Sequence, residues 1–340
     1  MKIRLYLEIC SACNLKCKYC FEKDYVAQFI DSESLYKFVD TIKPLIGDIV
    51  ITGGEPTLHT DFFEIIEHFS EYTDIVITSN GTLLDLGKIR DMLSKHSNVR
   101  LQFSLDAINR DYVDYVRGNS VYDRVMHSII ELKDYYSQLS ISSTLTTQTS
   151  SMIRDIYAFA KEHRINCYFP SLLPYGALVY NWNSMMPEVE EYIQLEDTLI
   201  EIISDDELDI IHSNKLDIIL SNVLEKDTSK HETFHVIKVD AFGHILSCPA
   251  TDYSNITSRI ANIDTIHSAK DLENLLINDI GCVSANLISQ ECENCEIEKY
   301  CRRLFCGNCI HLEAPNISIV KYLCKTFKHH YTNIKATMEV

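Results

Sequence analysis

The chain contains no apolar run of eighteen residues, which argues against a membrane-spanning helix. It lacks a secretory signal too, since the opening MKIRLYLEIC is short and already charged at Glu8. Positive charge is scarce. Basic residues number 31 against 49 acidic ones, a formal net charge of −18, and such a field repels phosphate backbones. Neither a nucleic-acid partner nor a membrane is therefore expected, and the chain is expected to be cytoplasmic. Glycine and proline are few, 10 and 7, with no Gly/Ser linker, repeat or low-complexity stretch. What is left is an ordinary globular composition, 46% hydrophobic and 24% charged, long enough at 340 residues for two domains.

Cysteine is plentiful, at 13 residues. Cys10, Cys13, Cys17 and Cys20 fall within EICSACNLKCKYCFEK, and Cys292, Cys295, Cys301, Cys306 and Cys309 within CENCEIEKYCRRLFCGNC; Cys324 trails the second group. In a reducing compartment such clusters suggest metal binding or catalysis rather than disulfides, and the odd total argues the same way. Cys13, Cys17 and Cys20 have the spacing CxxxCxxC. A structural zinc site needs four closed ligands, and only Cys10 could supply the fourth locally; at the end of a strand it reads better as a buried structural thiol. Three thiolates on a four-iron cluster would instead leave one iron open to a substrate or cofactor.

From residue 3 to about 172, strand-like runs (3–9, 48–53, 74–80, 99–107, 139–146 and 165–172) alternate with helix-period stretches such as 32–45 and 60–72. That alternation predicts βαβ units and a parallel sheet. Six units are too few for an eight-stranded barrel and suit a partial (β/α)6 TIM-like barrel. Function in such barrels gathers at the C-terminal ends of strands. The cysteine loop, GGEPT (53–57), TSNG (78–81) and SLD (104–106) all fall there. Beyond, 186–226 reads as helical and acidic, 233–248 as a hairpin around Asp240–Gly243, and 268–278 as helical. The expected division is a barrel over 1–185, a helical linker region over 186–232 and a cysteine-rich domain over 233–340.

CxxxCxxC after the first strand, with Tyr19 before its last cysteine, and GGEP after the second strand resemble the radical S-adenosylmethionine (SAM) superfamily over residues 3–180. The resemblance implies that Cys13, Cys17 and Cys20 hold a 4Fe-4S cluster whose open iron binds SAM. Cleavage of SAM there would give a 5′-deoxyadenosyl radical that abstracts a substrate hydrogen. Gly53 and Gly54 would let the ligand approach the backbone, with Pro56 in the same motif, and Glu55 would accept from the methionyl ammonium. Tyr19 would lie near the adenine; Asn80, Ser104 and Asp106 would face the ribose and carboxylate. For Ser104 and Asp106, plain strand-end hydrogen bonding is the alternative.

The C-terminal cysteines resemble the SPASM extension, which binds auxiliary iron–sulfur clusters in peptide- and protein-modifying enzymes. Cys292, Cys295, Cys301 and Cys324 match its outer cluster. The inner set departs: no cysteine precedes Gly243 in the expected window, and Phe305 stands where a cysteine is expected. Cys248 with Cys306 or Cys309, and Cys282, could hold a second cluster or be structural. The expected function is radical maturation of a ribosomally made peptide or a protein. Crosslinking is preferred over epimerisation or formylglycine formation. The chain begins at its first strand, so a leader would bind a separate protein or the barrel itself. Flavodoxin or ferredoxin would supply electrons. The alternatives are a radical SAM enzyme acting on a small molecule, and a non-catalytic metal-binding module.

Overall fold

The structure, a computed structural model, describes residues 2–20, 26–170, 181, 184–204, 211–212, 234–246, 259–278, 328–329 and 332. Strand β1, Lys2–Cys10, alternates: Ile3, Leu5, Leu7 and Ile9 are fully buried on one face, while Arg4, Tyr6 and Glu8 occupy the other. The period of two puts every second side chain into the core. Helix α1, Ser32–Ile42, supplies the opposing stripe with Leu35, Phe38, Val39 and Ile42, spaced for one helical face. Its N-terminus is capped by Asp31, whose carboxylate accepts from the Ser34 N–H at 2.8 Å. Helix α2, Phe62–Ser70, repeats the pattern with Phe62, Ile65, Ile66 and Phe69. Each of these apolar side chains contributes roughly 1.5–3 kcal/mol on burial.

The βα alternation continues through β2 (Ile46–Gly53), β3 (Asp74–Ser79), β4 (Val99–Ser104), β5 (Leu139–Ser142) and β6 (Asn166–Tyr168). Between them lie α3 (Leu86–Lys95), α4 (Arg110–Arg117), α5 (Val121–Glu131) and α6 (Ile153–His163). All six strands pair in parallel and in chain order. This is the partial TIM-like barrel that the sequence predicts, with strand bounds within a few residues of the expected runs.

The sheet extends past those six strands at both edges. Helix α7, Val189–Ser204, carries the acidic segment and precedes β7, Ile211–His212, which pairs in parallel with β6. At the other edge β8, Phe234–Val239, pairs in parallel with β1, Lys2 opposite Phe234 and Leu7 opposite Val239. β9, His244–Leu246, turns back antiparallel on β8, and β10, Arg259–Asn262, follows it before helix α8, Ala269–Asn278. The expected hairpin therefore exists, and its first strand belongs to the barrel sheet. Its turn needs Gly243 at φ +79°, and Asp240 holds it by accepting from the Phe242 and His244 N–H groups at 2.9 Å each. Across the β1–β8 seam Glu8 and Lys238, each 1% exposed, form an ion pair. No helix among the described residues is long and apolar enough to cross a membrane.

Candidate active site

The chain leaves β1 at Cys10 and returns alongside it at residues 26–30. Ile30 N–H donates to Ile9 O at 3.0 Å, and Ser11 N–H to Gln28 O at 2.9 Å. The cysteine loop is thus pinned at both ends. Cys10 lies beneath it, fully buried, its thiol donating to Glu55 O at 3.1 Å. Burial pushes this thiol up to about 12. Cys13, Cys17 and Cys20 are partly exposed on the loop. Burial pushes Cys13 up to about 11, offset in part by the Leu15 N–H, which donates to its Sγ at 3.4 Å.

The segment 53–56 fits against this loop. Gly54 N–H donates to Cys10 O and Glu55 N–H to Ala12 O, each at 2.8 Å. A Cβ on Gly53 would stand 2.2 Å from Cys10 O, and one on Gly54 2.3 Å from Ala12 O. The backbone that approaches these glycines closely is the chain's own, so the packing of the cysteine loop itself requires that both lack a side chain. Glu55 is 1% exposed. Its Oε1 accepts from Thr57 Oγ1 at 2.7 Å and Ser79 Oγ at 2.8 Å, and its Oε2 from Asn80 N–H at 2.7 Å. It also accepts from Thr57 N–H, capping the short 3-10 turn that Pro56 begins. Burial raises the Glu55 carboxyl and these hydrogen bonds oppose the rise.

Asn80, at the end of β3, links three elements. Its amide donates to Asn14 Oδ1 at 2.9 Å, and its carbonyl accepts from Thr82 N–H at 3.0 Å. Ser104 ends β4, partly exposed and opposite Ser142. Asp106, just beyond, is fully buried. Its carboxylate accepts from Tyr19 Oη at 2.7 Å, Arg117 Nε at 2.7 Å, Arg117 Nη2 at 3.0 Å and Thr144 N–H at 3.2 Å. Tyr19 Oη also bonds Arg117 Nη2. These three polar groups are thus paired with one another. Burial pushes the Tyr19 hydroxyl well above its usual range.

Arg117 was not singled out from the sequence. It is 7% exposed at the last position of α4. The available signal was a charge four residues after Val113, on the apolar stripe that also holds Tyr112 and Val116. Cys248, Cys282, Cys292, Cys295, Cys301, Cys306, Cys309 and Cys324 lie outside the described residues.

The donor set suits an iron–sulfur cluster. Three thiols stand on one anchored loop, and an N–H already points at Cys13 Sγ.

Comparison with known proteins agrees with this geometry. Residues 7–160 match the Radical SAM superfamily model, so the chain carries a radical SAM domain, the fold of enzymes that use SAM with a 4Fe-4S cluster. A GTP 3′,8-cyclase of Lactiplantibacillus plantarum is 26% identical over 202 residues, 56% of this chain and 58% of its own. The mycofactocin maturase MftC of Mycolicibacterium smegmatis is 25% identical over 203 residues, 58% of this chain and 52% of its own. The chain thus spans little more than half the length of these curated relatives. Among solved structures, anSMEcpe with bound AdoMet and the Cp18Cys peptide aligns with TM-score 0.71 and 19% identity, over 99% of this chain and 100% of that one. Streptococcus suis SuiB bound to precursor peptide SuiA aligns with TM-score 0.69 and 16% identity, over 88% and 71%. These two likenesses establish the fold.

Proposed function

We propose that this radical SAM enzyme abstracts hydrogen from a peptide or protein side chain during its maturation, with a crosslink as the preferred outcome. The observation carrying this reading is the reach of the fold likeness. It covers 99% of the chain against a structure with a bound peptide. The similarity to a peptide maturase supports it as well.

Cys13, Cys17 and Cys20 would hold the cluster. When bound, the cluster supplies the electron that cleaves SAM. Glu55 would offer its less occupied oxygen, Oε2, to the methionyl ammonium, beside the backbone of Gly53, Gly54 and Pro56. Asn80 and Ser104 would complete the cofactor contacts at the neighbouring strand ends. Asp106 and Tyr19 would act from behind, through Arg117. Cys292, Cys295, Cys301 and Cys324 would hold an auxiliary cluster, with Cys248, Cys306 and Cys309 the candidates for a second. A flavodoxin or ferredoxin would deliver the electron, and a separate protein could present a leader.

The second reading, a nucleotide substrate, is favoured by the cyclase similarity. One experiment separates the two. The anaerobically reconstituted enzyme is incubated with SAM and dithionite, with either GTP or the peptide products of small reading frames beside its gene. 5′-Deoxyadenosine is expected to form, to increase with peptide, and to disappear when Cys13, Cys17 and Cys20 are all changed to Ala. Consumption of GTP, with every peptide unchanged in mass, would sink the peptide reading.

A further inference from the structure

Helix α4 grips the cysteine loop at three places between Cys17 and Cys20. The Lys18 N–H donates to Val116 O at 3.0 Å. The Lys18 ammonium lies 3.2 Å over the centre of the Tyr115 ring. Tyr19 Oη is held by Arg117 and by Asp106, itself bound to Arg117 through two guanidinium nitrogens. Residues 115, 116 and 117 are consecutive and mark the last turn of the helix, which stops at Gly118 with φ +121°. The chain there cannot follow a helical path, so the turn presents all three contacts at a fixed height.

The charges are as well placed as the contacts. Asp106 is 0% exposed and Arg117 7% exposed, so water screens their fields weakly. The pair is bidentate, which fixes the guanidinium plane as well as its position. A buried ion pair of this kind is a poor source of net stability, because desolvation offsets most of the attraction. Its placement calls for another explanation. The Arg117 guanidinium lies 5.4 Å from the centre of the Tyr19 ring, and both Arg117 and Asp106 bond the Tyr19 hydroxyl, so both charges stand against the segment between Cys17 and Cys20.

We infer that Arg117 is a positioning residue for the cluster: with Asp106 and Tyr19 it sets the Cys17–Cys20 segment and places a fixed positive charge beside the cluster that those cysteines hold. This inference rests on the reading that Cys13, Cys17 and Cys20 are cluster ligands. Reduction adds negative charge to a cluster, so a fixed neighbouring cation favours the reduced form and a fixed anion opposes it. The two halves of the pair must then tune the reduction potential in opposite senses. A purely structural clamp predicts no such opposition.

The test is a dye-mediated redox titration of the reconstituted full chain, followed by the electron paramagnetic resonance signal of the reduced cluster. Arg117→Met is expected to lower the midpoint potential and Asp106→Asn to raise it, with Arg117→Lys returning toward the wild-type value. Tyr19→Phe, which changes no charge, is expected to move the potential less than either and to speed cluster loss to a chelator. Shifts of the same sign, or none, in variants whose circular dichroism matches wild type would overturn the inference. If Arg117→Met does not fold, Asp106→Asn alone decides by the sign of its shift. A wild-type chain that takes up no iron and sulfide would overturn the cluster reading itself, an outcome visible before any variant is compared.

Discussion

At the scale of single residues, the glycines of GGEP are the sharpest case. Gly54→Ala places a methyl 2.3 Å from Ala12 O and 2.6 Å from Ser11 O, both on the backbone of the cysteine loop. A flexible side chain could yield, but this backbone is tied at Cys10 and Ala12. The expected cost is about 1–3 kcal/mol, with fewer iron atoms retained after reconstitution. Denaturant midpoints and iron analysis measure both, and an Ala variant matching wild type in each would show that the loop can move. The cysteines were legible in sequence because their spacing is local. The bonding of Tyr19, Asp106 and Arg117 was not, because the three lie on separate elements and their polar groups meet only in the folded chain. The sequence located Tyr19 and Asp106 by motif, and the fold supplied the arginine that pairs with both.

At the scale of elements, α4 connects helix stability to the site. Asn109 caps it, accepting from the Tyr112 N–H at 2.9 Å. Asn109→Ala removes this acceptor and is expected to cost about 1 kcal/mol. Because the far end of α4 carries Tyr115, Val116 and Arg117, the same change should speed loss of the cluster to a chelator. A variant destabilised to that degree with an unchanged chelation rate would separate the cap from the clamp. The six barrel strands were legible from their β-rich apolar runs, and α1 and α2 from the period of their buried residues. β7 has only two residues, too short to show any period. β8 was readable as a strand, yet its parallel neighbour in the sheet is Lys2–Leu7, far away in sequence and marked by no local signal.

At the scale of the whole molecule, the sheet order places β1 inside, between β8 and β2. The strand that launches the cysteine loop is therefore paired on both sides. A chain cut after Ser204 would lack β8 and leave β1 with an open edge bearing unpaired N–H and C=O groups. It is expected to elute at higher apparent mass than the full chain in size-exclusion chromatography. Unchanged elution would mean that another segment covers the edge. The β1–β8 pairing also sets an order of events during synthesis. β1 leaves the ribosome long before β8, and only β2 is at hand to pair with it in the interval. Glu8 waits through the same interval for Lys238. The strand beneath the cluster loop is made well before β8, the strand that completes its pairing, so a cell that loads iron and sulfide between the two would load a half-supported loop. Insertion after release of the chain is the course that this topology favours.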